Sequence, residues 1–412
     1  MRAQRAYPPC TITPKGEAAL LRGHPWVYEA EILSLDPPAE NGSLVDVLSK
    51  KGRYLGTGFF SQHSKIRVRL ISRNANDRFD EAFWLRKLRW AWEYRKSVMA
   101  PADLDACRII FGEADAFPGL TVDKFHDLLS VQILSVGMER LRDLLLPALV
   151  SLLRADGQAI RGVYLRNDVA LREKEGLPQE KGWYPLPGET APDSPVTEIT
   201  ENGVRYLVDV ENGQKTGFFL DQKYNRLAIQ RLCKGKRVLD CFTHTGSFAL
   251  NAGIAGASEV LGVDASELGV AQASENAALN GLSDRVRFVA ADVFDLLPEL
   301  ERQGEKFDVV ILDPPAFTKS RNSVKNAVKG YREINLRGMK LVKDGGYLAT
   351  CSCSHFMTPE LFAKTIREAA GNVHKRLRQV EYRTQAADHP ILWGDSESSY
   401  LKFFIFQVCD EK

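Results

Sequence analysis

Two cysteines lie two residues apart in the run Thr350-Cys351-Ser352-Cys353-Ser354. Alternation places both thiols on one face of an extended segment, so spacing alone does not separate them. One reaction that needs such a thiol is carbon methylation of a pyrimidine. Carbon 5 of that ring is a poor nucleophile until a thiolate adds at carbon 6. The resulting enamine attacks an electrophilic methyl, and a base then removes the C5 proton. A free thiol has a pKa of ~8.5, so the site must favour the thiolate. Upstream, Asp313-Pro314-Pro315-Ala316-Phe317 follows an apolar run. The prolines fix an extended backbone without N–H groups, leaving Asp313 and neighbouring carbonyls to meet a planar, hydrogen-bonding group such as a base. Cys351, Cys353 and His355 lack a fourth ligand for zinc, and no metal is expected.

A second set of residues suits a nucleoside. Asp240 begins the loop Cys241-Phe242-Thr243-His244-Thr245-Gly246, Asp264 lies eighteen residues after Gly246, and Asp292 follows a third apolar stretch. One glycine beside an acidic residue offers poor room for a pyrophosphate, which argues against a dinucleotide-dependent dehydrogenase. Asp264 is placed to accept both hydroxyls of a ribose, and Asp292 to accept from an adenine amino group. Singly, each aspartate reads as a turn or helix cap. Repeated at consecutive strand ends, with Gly246, they describe a pocket for an adenosine without phosphates. S-adenosylmethionine fits, because its cationic sulfonium suits acidic surroundings.

These positions require a particular scaffold. Strands at 237–240, 260–264, 286–289, 307–312 and 347–351 alternate with helices starting at Gly246 and covering 268–279, 331–341 and 360–370. This series predicts a parallel, doubly wound sheet with right-handed crossovers, whose ligands bind beyond the carboxyl ends of the strands. The first 75 residues read differently. Segments 43–48 and 66–71 alternate apolar and polar residues, and Gly56 and Gly58 mark a bulge or tight turn between them. A small β-barrel or sandwich is expected. Next, Trp84, Leu85, Leu88, Ala91 and Trp92 share a helical face. Strands at 128–134 and 160–165 flank a helix over 141–153. Proline- and glycine-rich sequence at 182–195 reads as a linker and main domain boundary.

A length of 412 residues implies two or three domains. With 44% hydrophobic residues, the chain has ample apolar side chain for a core. Its seven cysteines are scattered without a CxxC pair, unlike a secreted disulfide framework. The N-terminus lacks an apolar signal core, and no stretch reaches the ~18 apolar residues of a membrane span. The expected location is cytoplasmic, with no membrane partner. Net charge is only +2, but residues 1–78 hold twelve Lys/Arg against seven Asp/Glu. That basic segment suits a module that docks on phosphate backbone.

The motifs together resemble the bacterial large-subunit ribosomal RNA methyltransferase I family, which makes 5-methylcytosine in 23S rRNA. The resemblance runs through RGHPWVY (22–28), GEADAFPGL (112–120), QKTGFFLDQ (214–222), VLDCFTHTG (238–246), DPPAF (313–317), SCS (352–354) and QAADHP (385–390). Two positions depart from the family's pattern: His244 replaces its usual tyrosine, and Ala316 the lysine often found there. The resemblance implies a multidomain chain: a PUA-like barrel over 1–75, a small central α/β domain over 76–190 and a Rossmann-like methyltransferase domain over 191–412. It implies Cys353 as nucleophile, with Asp313 and Cys351 beside it, and Pro314, Pro315 and Phe317 against the substrate. It places Asp221, Gln222 and Phe242 with Asp240, Gly246, Asp264 and Asp292 at the S-adenosylmethionine. The expected partner is 23S rRNA, and a homo-oligomer is compatible with the sequence. Two rival readings are methylation of an exocyclic amine on a purine, which needs no thiol, and a non-catalytic RNA-binding assembly factor.

Overall fold

Alternation in the first 75 residues becomes a six-stranded sheet in a computed structural model, which describes residues 7–318 and 320–411. Arg2 and Arg5, counted in the basic segment, lie outside the described residues. The strands are β1 (Pro9–Ile12), β2 (Trp26–Tyr28), β3 (Ile32–Leu35), β4 (Leu44–Ser49), β5 (Tyr54–Phe60) and β6 (Ile66–Ser72), with α1 (Pro14–Leu21) between the first two. Their spatial order is β2-β6-β5-β4-β1-β3. Inward positions Val27, Val45, Val47 and Val68 are fully buried. β5 passes close to β6 at Gly58: a Cβ there would stand 2.3 Å from the Arg69 carbonyl oxygen. The register shifts between Thr57 and Gly58, as the expected bulge requires.

Next in the chain, α2 (Glu81–Val98) buries Phe83, Trp84, Leu88, Ala91, Trp92 and Arg95. Leu85, expected on that stripe, sits at its edge and is 40% exposed. A second sheet has the order β11-β10-β9-β8-β7. It comprises β7 (Ala106–Phe111), β8 (Leu120–Phe125), β9 (Leu128–Ile133), β10 (Gly162–Asn167) and β11 (Glu180–Trp183). Only β9 and β10 run parallel, joined over α3 (Val136–Ala155), because a parallel pair needs a crossover. β7 and β8 were not anticipated, and the proline-rich stretch begins inside β11. A hairpin of β12 (Val196–Glu201) and β13 (Val204–Asp209) leads to α4 (Lys223–Gln230).

The C-terminal half forms a seven-stranded sheet, β16-β15-β14-β17-β18-β20-β19. In chain order its elements are β14 (Arg237–Cys241), α5 (Ser247–Ile254), β15 (Glu259–Asp264), α6 (Glu267–Leu279), β16 (Val286–Ala290), α7 (Val293–Arg302) and β17 (Phe307–Leu312). They continue as α8 (Val324–Leu341), β18 (Val342–Ser352), α9 (Pro359–Asn372), β19 (Lys375–Arg383) and β20 (Lys402–Asp410). β14 to β18 are parallel, as expected. The expectation of a wholly parallel sheet is corrected at its end, where β20 and β19 pair antiparallel. Order reverses around β14, flanked by β15 and β17, and this switch point is where such a sheet opens a ligand crevice.

The chain forms two compact units. One comprises Met1–Ile199, Val208–Leu220 and Ala387–Ser398; the other comprises Thr200–Leu207, Asp221–Ala386 and Ser399–Lys412. Every residue expected to carry chemistry belongs to the second.

Candidate functional site

The loop after β14 is built on Asp240. Its Oδ2 accepts from the Thr243 hydroxyl (2.5 Å) and the Ala249 backbone N–H (2.9 Å), which ties the strand end to the first turns of α5. Its Oδ1 is buried without a hydrogen-bond partner. Burial lifts this carboxyl to about 7, and the charge of Asp313 pushes in the same direction against the Thr243 bond. The loop has unusual backbone: Phe242 (φ 64°) and His244 (φ 51°) hold left-handed conformations that cost of order 1–3 kcal/mol each. Gly246 (φ 85°) does so without a Cβ, which would stand 2.8 Å from the Phe288 ring.

Asp264 ends β15 half-buried. It accepts from the His244 N–H (2.8 Å) and the Ser266 N–H (2.9 Å). These bonds fix the carboxylate while using only part of its acceptor capacity, so it can still meet two ribose hydroxyls. Asp292 is exposed and caps α7, accepting from the Phe294 N–H at 2.8 Å. Asp292 is thus a helix cap, as its single reading anticipates. The orphaned carboxylate oxygen of Asp240 suits a cationic nucleoside such as S-adenosylmethionine, while Gly246 lets the loop pass close against Phe288 and Ala273.

The thiol end is held by Gln222. Its amide donates to Asp313 Oδ1 (3.1 Å) and Cys351 Sγ (3.4 Å), while Asn225 donates to its carbonyl (2.6 Å). Cys351 is fully buried on β18, and its S–H donates to Asp313 Oδ1 at 2.9 Å. Burial, then the Asp313 charge and hydrogen bond, push this thiol well above its ordinary value. Cys353 differs. It lies one residue beyond the end of β18, half-buried. The serines on either side of it both bond to Tyr331 of α8: Ser352 Oγ lies 2.9 Å and Ser354 Oγ 3.0 Å from its hydroxyl. Asp313 is half-buried, and burial raises it to about 6; the Cys351 bond opposes this and the charge of Asp221 adds to it. Asp221 in turn accepts from the Tyr400 hydroxyl at 2.7 Å.

Pro314 is buried and Pro315 exposed. Phe317 packs against Tyr331, Phe294 and Phe242, with ring centroids 4.7, 5.9 and 6.5 Å away. Phe242, Phe294 and Phe317 thus gather beyond the ends of β14, β16 and β17. Gln222, expected at the cofactor, bonds to Asp313 and Cys351.

Three groups went unread in the sequence. In the sequence Tyr331 reads only as a helix residue. Arg226 and Glu201 form a fully buried bidentate pair (2.6 and 2.8 Å) that anchors α4 to β12. Lys402 is buried at the start of β20. The signal for Lys402 was present, as a lone cation entering the apolar run 403–406. Among the described residues no group of acidic, histidine or cysteine side chains can hold a metal ion, and no helix is long and apolar enough to cross a membrane.

Comparisons with known proteins agree with this fold. The pattern of the S-adenosylmethionine-dependent methyltransferase family matches residues 186–390, and that of the PUA-like domain matches residues 10–73. The chain is 38% identical over 403 residues to the ribosomal RNA large subunit methyltransferase I of Klebsiella pneumoniae (strain 342), covering 98% of both. It is 39% identical over 393 residues to the protein of that name from Cronobacter sakazakii, covering 95% of this chain and 97% of the other. Among solved structures, a methyltransferase complexed with SAH superposes with a TM-score of 0.81 at 23% identity, over 97% of this chain and 99% of that one. An S-adenosylmethionine-dependent methyltransferase from Streptococcus mutans gives 0.79 at 23%, with the same coverage; at this identity both likenesses speak for the fold alone. A PUA-like domain followed by an S-adenosylmethionine-dependent methyltransferase fold, and full-length identity at this level, place this chain in the ribosomal RNA large subunit methyltransferase I family.

Proposed function

We propose that this protein methylates carbon 5 of a cytosine in large-subunit ribosomal RNA, with Cys353 as the nucleophile that adds to carbon 6 and is expelled as thiolate when the C5 proton is removed after methyl transfer. S-adenosylmethionine supplies the methyl group, held by Asp240, Gly246 and Asp264 and flanked by Phe242 and Asp292. Reaching a base requires turning it out of its stack, and the aromatic cluster of Phe242, Phe294 and Phe317 suits a flipped ring. Asp313, with the Pro314 and Pro315 carbonyls, accepts from the exocyclic amine of the cytosine. Gln222 and Cys351 hold the Asp313 carboxylate in orientation.

The observation that carries this reading is the contrast between the two thiols. Cys351 is sealed and committed as a hydrogen-bond donor to Asp313. Cys353 sits in a partly open loop whose flanking serines are both pinned by Tyr331. A transfer to an exocyclic amine needs no such mounting of a thiol.

The test is Cys353→Ala and Cys351→Ala assayed on ribosomal RNA from cells lacking the protein, with nucleoside mass spectrometry. Cys353→Ala should abolish 5-methylcytidine formation while binding SAH nearly as the native chain does. Cys351→Ala should retain measurable turnover. Methylated purine as product, or full activity without Cys353, would defeat the proposal.

A further inference from the structure

Burying a charge is costly unless something compensates it. Lys402 is 2% exposed, yet it opens β20, and the residues after it, Phe403 to Phe406, are buried and apolar. In the register of β18 and β20 it stands opposite Ser352, beside the strand end that bears both cysteines. Its Nζ donates to the carbonyl oxygens of Ser354 and Tyr400, each at 2.7 Å. Among the described residues no carboxylate lies within ion-pair distance of it. A cation with two neutral acceptors and no counter-ion is incomplete as a structural device.

The titratable groups around it narrow its role. From β18 and the loop beyond, Cys351 and Cys353 couple to it, and their negative charge favours its protonated form. From α8, Tyr331 bonds to Ser352 and Ser354. Tyr400, just before β20, donates to Asp221. Burial draws the Lys402 ammonium down to about 8 against the pull of the two thiols, so it still carries charge near neutral pH. Of those thiols, Cys351 is held protonated by donating to Asp313. That leaves Cys353.

We propose that Lys402 is a positioning residue for Cys353: its ammonium supplies the counter-charge of the thiolate, and its bond to the Ser354 carbonyl fixes the loop that presents the sulfur. Tyr331 clamps that loop by its side chains, and Lys402 by its backbone. The proposal rests on the reading of Cys353 as the nucleophile. Its test nevertheless reads the thiol directly, without RNA or turnover.

The rate at which iodoacetamide alkylates Cys353 in the full-length protein is followed against pH. Fragment spectra of the peptide distinguish Cys353 from Cys351. In the native chain the midpoint should lie below the ~8.5 of a free thiol. Lys402→Met should raise the midpoint by about one pH unit and slow alkylation near pH 7 by about tenfold, since one unit corresponds to tenfold in thiolate population. Lys402→Arg, which keeps the charge, should recover most of the shift. A native midpoint at or above ~8.5 overturns the proposal even if Lys402→Met fails to fold. So does a Lys402→Met midpoint equal to the native one in a folded variant. If the midpoints shift as stated but Cys353→Ala still methylates RNA, the carbon-5 reading fails while the coupling of Lys402 to the thiol stands.

Discussion

At the residue scale, the site depends on which groups are charged near neutral pH, and burial sets that. Asp313 is raised by burial to about 6. As an acceptor for the cytosine amine it must be ionised, so kcat/KM should fall as pH drops through about 6. The fold responds in the opposite sense. A carboxyl raised above its unfolded value of ~3.9 stabilises the protein most at low pH, and that contribution is lost as pH rises toward 6. An acid loss of activity at constant or increasing thermal stability therefore belongs to the site rather than to unfolding. Asp313→Asn, which removes the charge and keeps the shape, should lower kcat roughly 10²-fold and remove the acid limb; a retained limb near pH 6 would reassign it to another group. The positions of Asp240, Asp264 and Asp313 at strand ends were legible in the sequence, because an open α/β sheet selects such places for a ligand. The difference between Cys351 and Cys353 was not. Alternation gives two residues at i and i+2 the same face, and only the point where β18 ends, after Ser352, separates a buried thiol from a loop thiol. The place of Gln222 was hidden for a related reason: a side chain that bridges two elements leaves no trace in local spacing.

At the element scale, the β14–α5 loop is the most demanding piece of backbone in the site. Two non-glycine residues are left-handed, and Gly246 adds a third position that also leaves no room beside Phe288. Gly246→Ala introduces a left-handed alanine, costing roughly 1–2 kcal/mol, together with a clash against an aromatic ring. Titration calorimetry with SAH should show affinity at least about tenfold weaker, against a smaller proportional effect on denaturant unfolding; unchanged affinity would remove this loop from the cofactor site. The βα alternation that carries it was readable because each strand is a short apolar run set between helices of helical period. What escaped has physical reasons. α7 contains Pro298, which reads as a helix breaker. β19 carries Lys375, Arg376, Arg378, Glu381 and Arg383 in nine residues, too polar for a strand signal. β20 is apolar on both faces, so it has no period of two. Those two strands make the antiparallel end of the sheet, which a wholly parallel expectation missed, and β20 supplies Lys402.

At the scale of the whole molecule, the remaining question is how a nearly neutral chain engages a polyanion. The excess of cations counted in the first 78 residues overstates what is available. Arg69 is bonded to Glu113 and Glu175, and Arg67 to Glu29. The turn between β4 and β5 is different. Lys50, Lys51 and Arg53 are all exposed there, and among the described residues no carboxylate pairs with them. Ser49 shapes this turn by accepting from the backbone N–H groups of Lys51 and Arg53. Three adjacent unpaired cations on a PUA-like domain make it the strongest candidate for phosphate contact. Counterion release gives a measurable signature, because each phosphate neutralised contributes about −0.7 to −0.9 to the slope of log K against log salt. Replacing Lys50, Lys51 and Arg53 together by Gln should therefore weaken binding to a ribosomal RNA fragment and flatten that slope by roughly 2 to 3. Affinity for SAH should be unchanged, because these residues lie in a different unit from the cofactor site. Weaker binding with an unaltered slope would point to a misfolded turn, and unchanged binding would move the RNA contact elsewhere on the molecule.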